Sequence, residues 1–297
     1  MQLRAWMGLA PLVLAPALAL ASEPLELPLI VETGQRMQVN YVHTKRQKDT
    51  ANSGDIRGQL HIIDADSDPD NLLVEWQTDS VRINGVEIDA RSPQAADLMI
   101  GLPITFIADA DLTPKRIFDR DDLMRRIFSA EFFAGVDNTS REKVRAFMAD
   151  MGDDTFAQLL LKMPGYLSLC QGTAFVPGEP VESDTFFPSP IPGVKIAGAA
   201  RYVLEVADSG AVTVQYSSSY DPESVKDFLR AAISQGSVEN APSEDEIAAI
   251  RFEKTDIANC DIDRNTGWVQ RMTFASEVIA PDGEQGERYD IDIFRLN

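Results

Sequence analysis

Long stretches of this chain alternate apolar and polar side chains residue by residue, and that alternation restricts the fold more than any other feature. Met37, Val39, Tyr41 and His43 share one face of an extended segment, while Gln38, Asn40, Thr44 and Arg46 lie largely on the other. The run Ile56 to Asp64 sets Ile56, Gly58, Leu60 and Ile62 against Arg57, Gln59 and His61, and the run Leu72 to Ile83 points Leu72, Val74 and Trp76 inward. A fourth run, Pro103 to Ala108, joins them. A period of two with one apolar face per segment predicts a half-buried antiparallel meander, packed on one side and wet on the other.

At Asp119 the period changes to that of a helix. Met124, Ile127, Phe128 and Phe132 line one helix. Val144, Phe147, Met148 and Met151 line a second, opened by a capping box from Thr139 to Glu142. Phe156, Leu159, Leu160 and Met163 line a third, which Pro164 and Gly165 end. Pro177, Pro180, Pro188, Pro190 and Pro192 then punctuate a stretch read as an ordered crossing loop or a linker.

Strands resume at Val194, with runs around Arg201 to Val206 and Val212 to Ser217 joined by the hairpin signal Asp208-Ser209-Gly210. Asp221 and Pro222 start a helix with the face Val225, Phe228, Leu229 and Ala232. After an acidic, Ser-rich bridge come Trp268 to Ile279, a turn at Pro281 to Gly286, and Tyr289 to Leu296. Strands, helices, strands is an α+β order: mainly a twisted antiparallel sheet, half-barrel-like, with a three-helix insertion. The expected organisation is a signal peptide over 1–21, an N-terminal β unit over 22–118, a helical insertion over 119–168, and a C-terminal β unit with one helix over 169–297. The two β units are expected to pack as a single domain. Asp109-Ala-Asp111 leading to Thr113 echoes Asp261-Ile-Asp263 leading to Thr266. A duplicated β unit or shared turn chemistry explains the echo equally well.

Residues 1–21 place Arg4 before an apolar run that ends Ala19-Leu20-Ala21, the pattern of a secretory signal whose apolar core is too short to span a bilayer. No cysteine stands at the cleavage point to carry a bacterial lipid anchor. The mature chain is therefore expected to be exported and soluble, with no membrane span, and periplasmic if the source is a Gram-negative bacterium. With 27 basic and 47 acidic residues the net charge is −20, which disfavours nucleic acid and anionic lipid surfaces as partners. In an exported chain the two cysteines, Cys170 and Cys260, are expected to pair, the alternative being two separate buried thiols.

In outline the chain resembles exported bacterial proteins in which two antiparallel β units flank a helical segment. The carriers are Gly34 ahead of the Tyr41 strand, the Pro164 to Gly178 exit from the helices, the strand Arg201-Tyr-Val-Leu204, and Asp263 to Gly267 before Trp268. In architecture it is also similar to curved half-barrel carriers of lipids and lipoproteins in the periplasm. The resemblance implies export and this fold, and lends no activity.

The sharpest local motif is Asp64, Asp66, Asp68 and Asp70 followed by Glu75, the ligand spacing of a calcium loop. Pro69 occupies the position that needs a turn glycine, and the flanks read as strands, so an exposed acidic turn is the plainer reading. Asp261, Asp263 and Asn265 repeat a shorter version. His43 and His61 are the only histidines, the first a core residue and the second on a polar face, so no structural zinc site is expected. Ser217, Ser218 and Ser219 lack the glycine frame of a nucleophile elbow and read as turn residues. No catalytic, cofactor-binding or metal-ligating residue is therefore assigned, and no cofactor is expected.

Met124, Phe128, Phe132, Phe133, Phe147, Met148, Met151, Phe156 and Met163 crowd one region. Such a cluster either packs helices on the sheet or moulds around an apolar ligand. The expected function is a non-enzymatic exported protein that binds an apolar small molecule or an envelope protein. The alternatives are a carboxylate-dependent hydrolase and a purely structural envelope module.

Overall fold

A computed structural model describes residues 23–47, 50–68, 70–89, 98–129, 137–171, 174–188, 194–207, 211–234, 243–280 and 283–296. The expected signal segment over 1–21, Phe132, Phe133, Pro69, Pro190, Pro192 and the Asp208–Gly210 turn lie outside these residues. The fold is mostly antiparallel β with few helices, as the alternation predicts.

The N-terminal half supplies β1 (Leu25–Glu26), β2 (Arg36–Gln47), β3 (Thr50–Asp64), β4 (Leu72–Ile83), β5 (Val86–Glu87), β6 (Ile104–Ala108) and β7 (Pro114–Ile117). The C-terminal half supplies β8 (Ala174–Phe175), β9 (Pro180–Pro188), β10 (Lys195–Val206), β11 (Val212–Tyr220), β12 (Glu253–Ile262), β13 (Val269–Ala280) and β14 (Gly283–Leu296). One open sheet runs β7-β6-β4-β3-β2-β14-β13-β12-β11-β10-β9, with β5 on β4, while β1 and β8 form a small separate pair. Two meanders thus meet where β2 pairs with β14, from Arg36 opposite Leu296 to Gln47 opposite Gln285. The first meander runs from the middle outward and the second from the edge inward. The β6–β7 hairpin therefore closes the outer edge of the first meander, whereas β12–β13 lies inside the second, and both turns use an aspartate in the same way. Asp109 Oδ1 accepts from the Asp111 and Thr113 amides, and Asp263 Oδ1 accepts from that of Asn265. Among the described residues the topology does not confirm a duplicated unit.

Several boundaries differ from expectation. The proline-rich stretch contains β9, an edge strand paired only with β10, where a residue without an N–H costs no ladder bond on the open side. Ser217, Ser218 and Ser219 lie inside β11, paired with β10 on one side and β12 on the other, so sheet pairing on both edges overrides their turn preference. The acidic bridge holds a further helix.

The helices are α1 (Arg120–Ile127), α2 (Asn138–Asp150), α3 (Asp153–Leu160), α4 (Lys162–Ser168), α5 (Pro222–Ser234) and α6 (Glu244–Ala249). The insertion accordingly carries four described helices where three are expected. Pro164 does not end the third; it stands in the first turn of α4, where its missing N–H has no intrahelical partner to lose. Asp137, and not Thr139, caps α2 by accepting from the Ser140 amide, while the capping box belongs to α6, between Ser243 and Glu246. Arg120 ties the insertion together. Its guanidinium pairs with Asp153 at 2.6 Å, donates to the Met148 and Met151 carbonyls at the end of α2, and lies 4.5 Å over the Phe156 ring.

The core lies between one face of the sheet and helices α1, α3 and α4. Val39, Ile62, Val74, Phe106, Phe156, Leu204, Val214 and Met272 are fully buried there. Gly58 admits the Trp76 indole from the neighbouring strand, since a Cβ at position 58 would meet that ring at 2.6 Å. Cys170 and Cys260 form the expected disulfide, with Cα atoms 6.3 Å apart, and fasten the end of α4 to β12. The lead before β2 straps across the opposite half: Trp268 Nε1 donates to the Ile30 carbonyl at 2.7 Å. Gly267 beneath it has φ +70°, and a Cβ there would run into the Pro28 carbonyl oxygen.

Candidate functional site at the polar end of the helix-covered face

Cross-strand register sorts the helix-covered face into rows. One row reads Tyr41, Ile291, Met272, Cys260, Val214 and Leu204 across β2, β14, β13, β12, β11 and β10. Two residues along each strand the row becomes His43, Tyr289, Phe274, Ala258, Tyr216 and Tyr202. Two further on it becomes Lys45, Glu287, Ser276, Asp256, Ser218 and Ala200. The same face passes from apolar to aromatic to polar within four residues of strand, because the period-2 phase continues while the residue type changes.

The aromatic row is a packed layer. Tyr166 of α4 stacks on Phe274 with centroids 4.1 Å apart and meets Tyr289 edge-on at 5.1 Å, while His43 stacks on Tyr289 at 4.3 Å. Burial pushes the phenols of Tyr41, Tyr166, Tyr216 and Tyr289 up, and that of Tyr202 up to about 12, so all are neutral hydrogen-bonding groups at ordinary pH.

At the polar row Glu287 is the hub. The Lys162 ammonium donates to it at 2.8 Å and the Tyr289 hydroxyl at 3.0 Å, with Lys45 at 3.6 Å and His43 Nε2 at 3.7 Å. His43 and Lys162 together hold the Glu287 carboxyl well below the usual range, against burial, which pushes the other way. Nearby, Lys254 of β12 donates to Asp256 and to the Tyr220 hydroxyl, both at 3.2 Å, and lies 4.7 Å over the Tyr220 ring. Burial alone lowers the Lys254 ammonium, but Asp256 and then Tyr220 outweigh it and raise it above its ordinary value. The buried atoms Ser218 Oγ and Asp256 Oδ1 have no hydrogen-bond partner among the described residues. A pocket of about 240 Å³ opens here, lined by Lys45, Lys162, Tyr166, Lys254, Ser276 and Glu287 among others.

The residues singled out from sequence fall elsewhere. Asp64 accepts from the Asp66 and Ser67 amides and the Ser67 hydroxyl, and Asp68 from the Asp70 amide and Asn71 side chain. Asp66 accepts from Thr33. These carboxylates shape the β3–β4 turn, whereas Glu75 stands within β4 opposite His61. Among the described residues no three His, Cys, Asp or Glu side chains converge as a metal cage. Of the Met/Phe cluster, Met148, Phe156 and Met163 are buried and Met124, Phe128 and Met151 half-buried, while Phe147 faces outward. The polar row went unread because a polar residue in a period-2 run is ordinarily assigned to the wet face. The signal was the unbroken phase Lys254, Asp256, Ala258, Cys260, Ile262.

No family model matches the chain, and no curated protein matches it. Among solved structures, lipovitellin, in a study of its lipid–protein interactions, is similar with a TM-score of 0.43 and 7% identity over 90% of this chain; the match spans 25% of the lipovitellin chain. A domain of an outer membrane lipoprotein-sorting protein from Vibrio parahaemolyticus is similar with a TM-score of 0.21 and 7% identity, over 88% of this chain and 86% of that one. MucB in complex with MucA(peri) gives a TM-score of 0.12 and 8% identity, over 88% and 89%. Lipid, lipoprotein and partner belong to those proteins. No described helix is long and apolar enough to cross a membrane.

Proposed function

We propose that this is a non-enzymatic, exported binding protein that holds an apolar or amphiphilic molecule against its helical insertion. One observation carries the reading. The insertion leaves Val144, Phe147 and Leu159, with Phe118 just before it, between 41% and 59% exposed, and α2 anchors itself in the core through Met148 as its only buried residue. A helix so lightly held, with large apolar side chains turned outward, is suited to receiving apolar surface. The disulfide is of the kind that persists in an oxidising compartment. The hydrolase alternative is less well supported: Glu287 at the polar row is shifted opposite to a general acid, and the carboxyl that burial and then Asp109 do raise, Asp111, sits in the β6–β7 turn and does not line that pocket.

Native mass spectrometry after gentle purification, paired with thermal shifts on adding single-chain amphiphiles, tests this. The expected result is a retained adduct or a rise in Tm that Phe147→Ser reduces. A ligand-free protein indifferent to every amphiphile contradicts it.

A further inference from the structure

We propose that the pocket at the polar row takes the oxyanion end of an amphiphile, a carboxylate or a phosphate monoester, whose apolar body lies toward Tyr166 and the helices. The inference rests on the apolar-ligand reading and adds the chemical class of the ligand.

Charge is the first ground. The chain carries −20, yet three ammonium groups, those of Lys45, Lys162 and Lys254, line this pocket against the single carboxylate of Glu287. That carboxylate is already shared between Lys45 and Lys162, and Lys254 is engaged with Asp256. The lining thus holds more positive charge than its own acids neutralise, in a molecule whose surface otherwise repels anions. An incoming oxyanion completes the set with charge-assisted hydrogen bonds, which are among the stronger polar contacts available to a protein.

Placement is the second ground. The lysines come from β2, α4 and β12, three elements brought together only by the fold, so no local helix or turn requirement explains their convergence. Lys162 lies 5.7 Å over the Tyr166 ring and 5.3 Å over that of Tyr289, and Lys254 sits over Tyr220, which fixes the ammoniums beside aromatic faces. Ser276 adds a hydroxyl donor to the lining. Lys162 and Lys254 are both raised above their ordinary values despite burial, so both are cationic at neutral pH.

Size is the third ground. The pocket measures about 240 Å³, below the roughly 300–1,000 Å³ of sites that enclose a drug-sized ligand. It suits one end of a molecule, and the neighbouring wall of Tyr166 stacked on Phe274 is the apolar surface that end would adjoin.

Isothermal titration of the disulfide-intact protein with decyl phosphate, decanoate, decyl maltoside and inorganic phosphate tests the inference. Decyl phosphate and decanoate are expected to bind about tenfold or more tightly than the maltoside, the scale of one lost charged hydrogen bond. Lys254→Gln and Lys45→Gln are each expected to weaken the anionic ligands and leave the maltoside unchanged; Lys45 is half exposed, so its replacement spares the fold. Equal binding of the maltoside, or anionic ligands indifferent to both variants, overturns the inference while the apolar-ligand reading stands. Inorganic phosphate binding as tightly as decyl phosphate upholds the anion pocket and removes the apolar body. Binding of none of the four overturns both.

Discussion

The two ends of the helix-covered face are built on the same strands with the same alternation, and they do opposite things. At the dry end Met272, Cys260, Val214 and Leu204 are no more than 1% exposed and close-packed under the helices. At the wet end the equivalent positions are Ser276, Asp256, Ser218 and Ala200, with Lys162, Lys254 and Glu287 around them. The difference teaches that this sheet passes from packed core to charged and polar groups along its strands and not only between its faces, which on the proposed reading divides stability from recognition. The dry rows hold the fold, and the polar row spends buried polar groups that a purely structural core would avoid.

Changes at the dry end should cost the most. The disulfide joins Cys260 of that row to Cys170, and closing a loop of 90 residues is worth about 4 to 5 kcal/mol on the chain-entropy account. Replacing both cysteines with alanine is therefore expected to move the urea midpoint further than any other change considered, at unchanged fold by circular dichroism. Met272→Ala, at a fully buried position, is expected to lose about 2 to 5 kcal/mol in the same denaturation.

Glu287 sharpens the contrast through pH. Its folded value is depressed, so its contribution is complete above the ordinary glutamate range near ~4.3 and is lost as pH falls toward the lower folded value. Thermal melts from pH 6 down to pH 3 should show an acid loss that Glu287→Gln flattens. At the other extreme Lys254, raised in the folded state, contributes fully below about pH 10.4 and loses its contribution as pH climbs through the higher folded value. The smallest expected effect is at Ser218, whose buried hydroxyl has no partner among the described residues. Ser218→Ala should change stability by less than about 0.5 kcal/mol or raise it slightly, since it removes an unsatisfied group. A large loss there would place the polar row among the structural ones.

The comparison also explains what could be read from the chain alone. The bounds of β4 coincide with the run Leu72 to Ile83, because both its inward residues and its turn signals follow the rules for a half-buried strand. The disulfide was legible from the signal-like pattern of residues 1–21 and the cysteine count. β9 was hidden by prolines that only an edge strand tolerates, and β12 by inward-facing Lys254 and Asp256, which disguise its alternation. The pocket was harder still. Lys45, Lys162, Lys254 and Glu287 are far apart in sequence, and no spacing rule joins residues that meet only because β2 closes on β14 and α4 lies on β13. The acidic Asp64–Asp70 loop, by contrast, drew notice because its residues are adjacent, and its carboxylates turn out to serve their own turn.

Amide hydrogen exchange with and without decyl phosphate tests the division between the two ends most directly. The account predicts added protection confined to the segments around Lys162–Tyr166, Lys254–Asp256 and Gln285–Glu287, with Val214, Cys260, Met272 and Ile291 already protected and unchanged. Protection that rises evenly along β11 to β14, or that leaves those three segments unaffected, would contradict it.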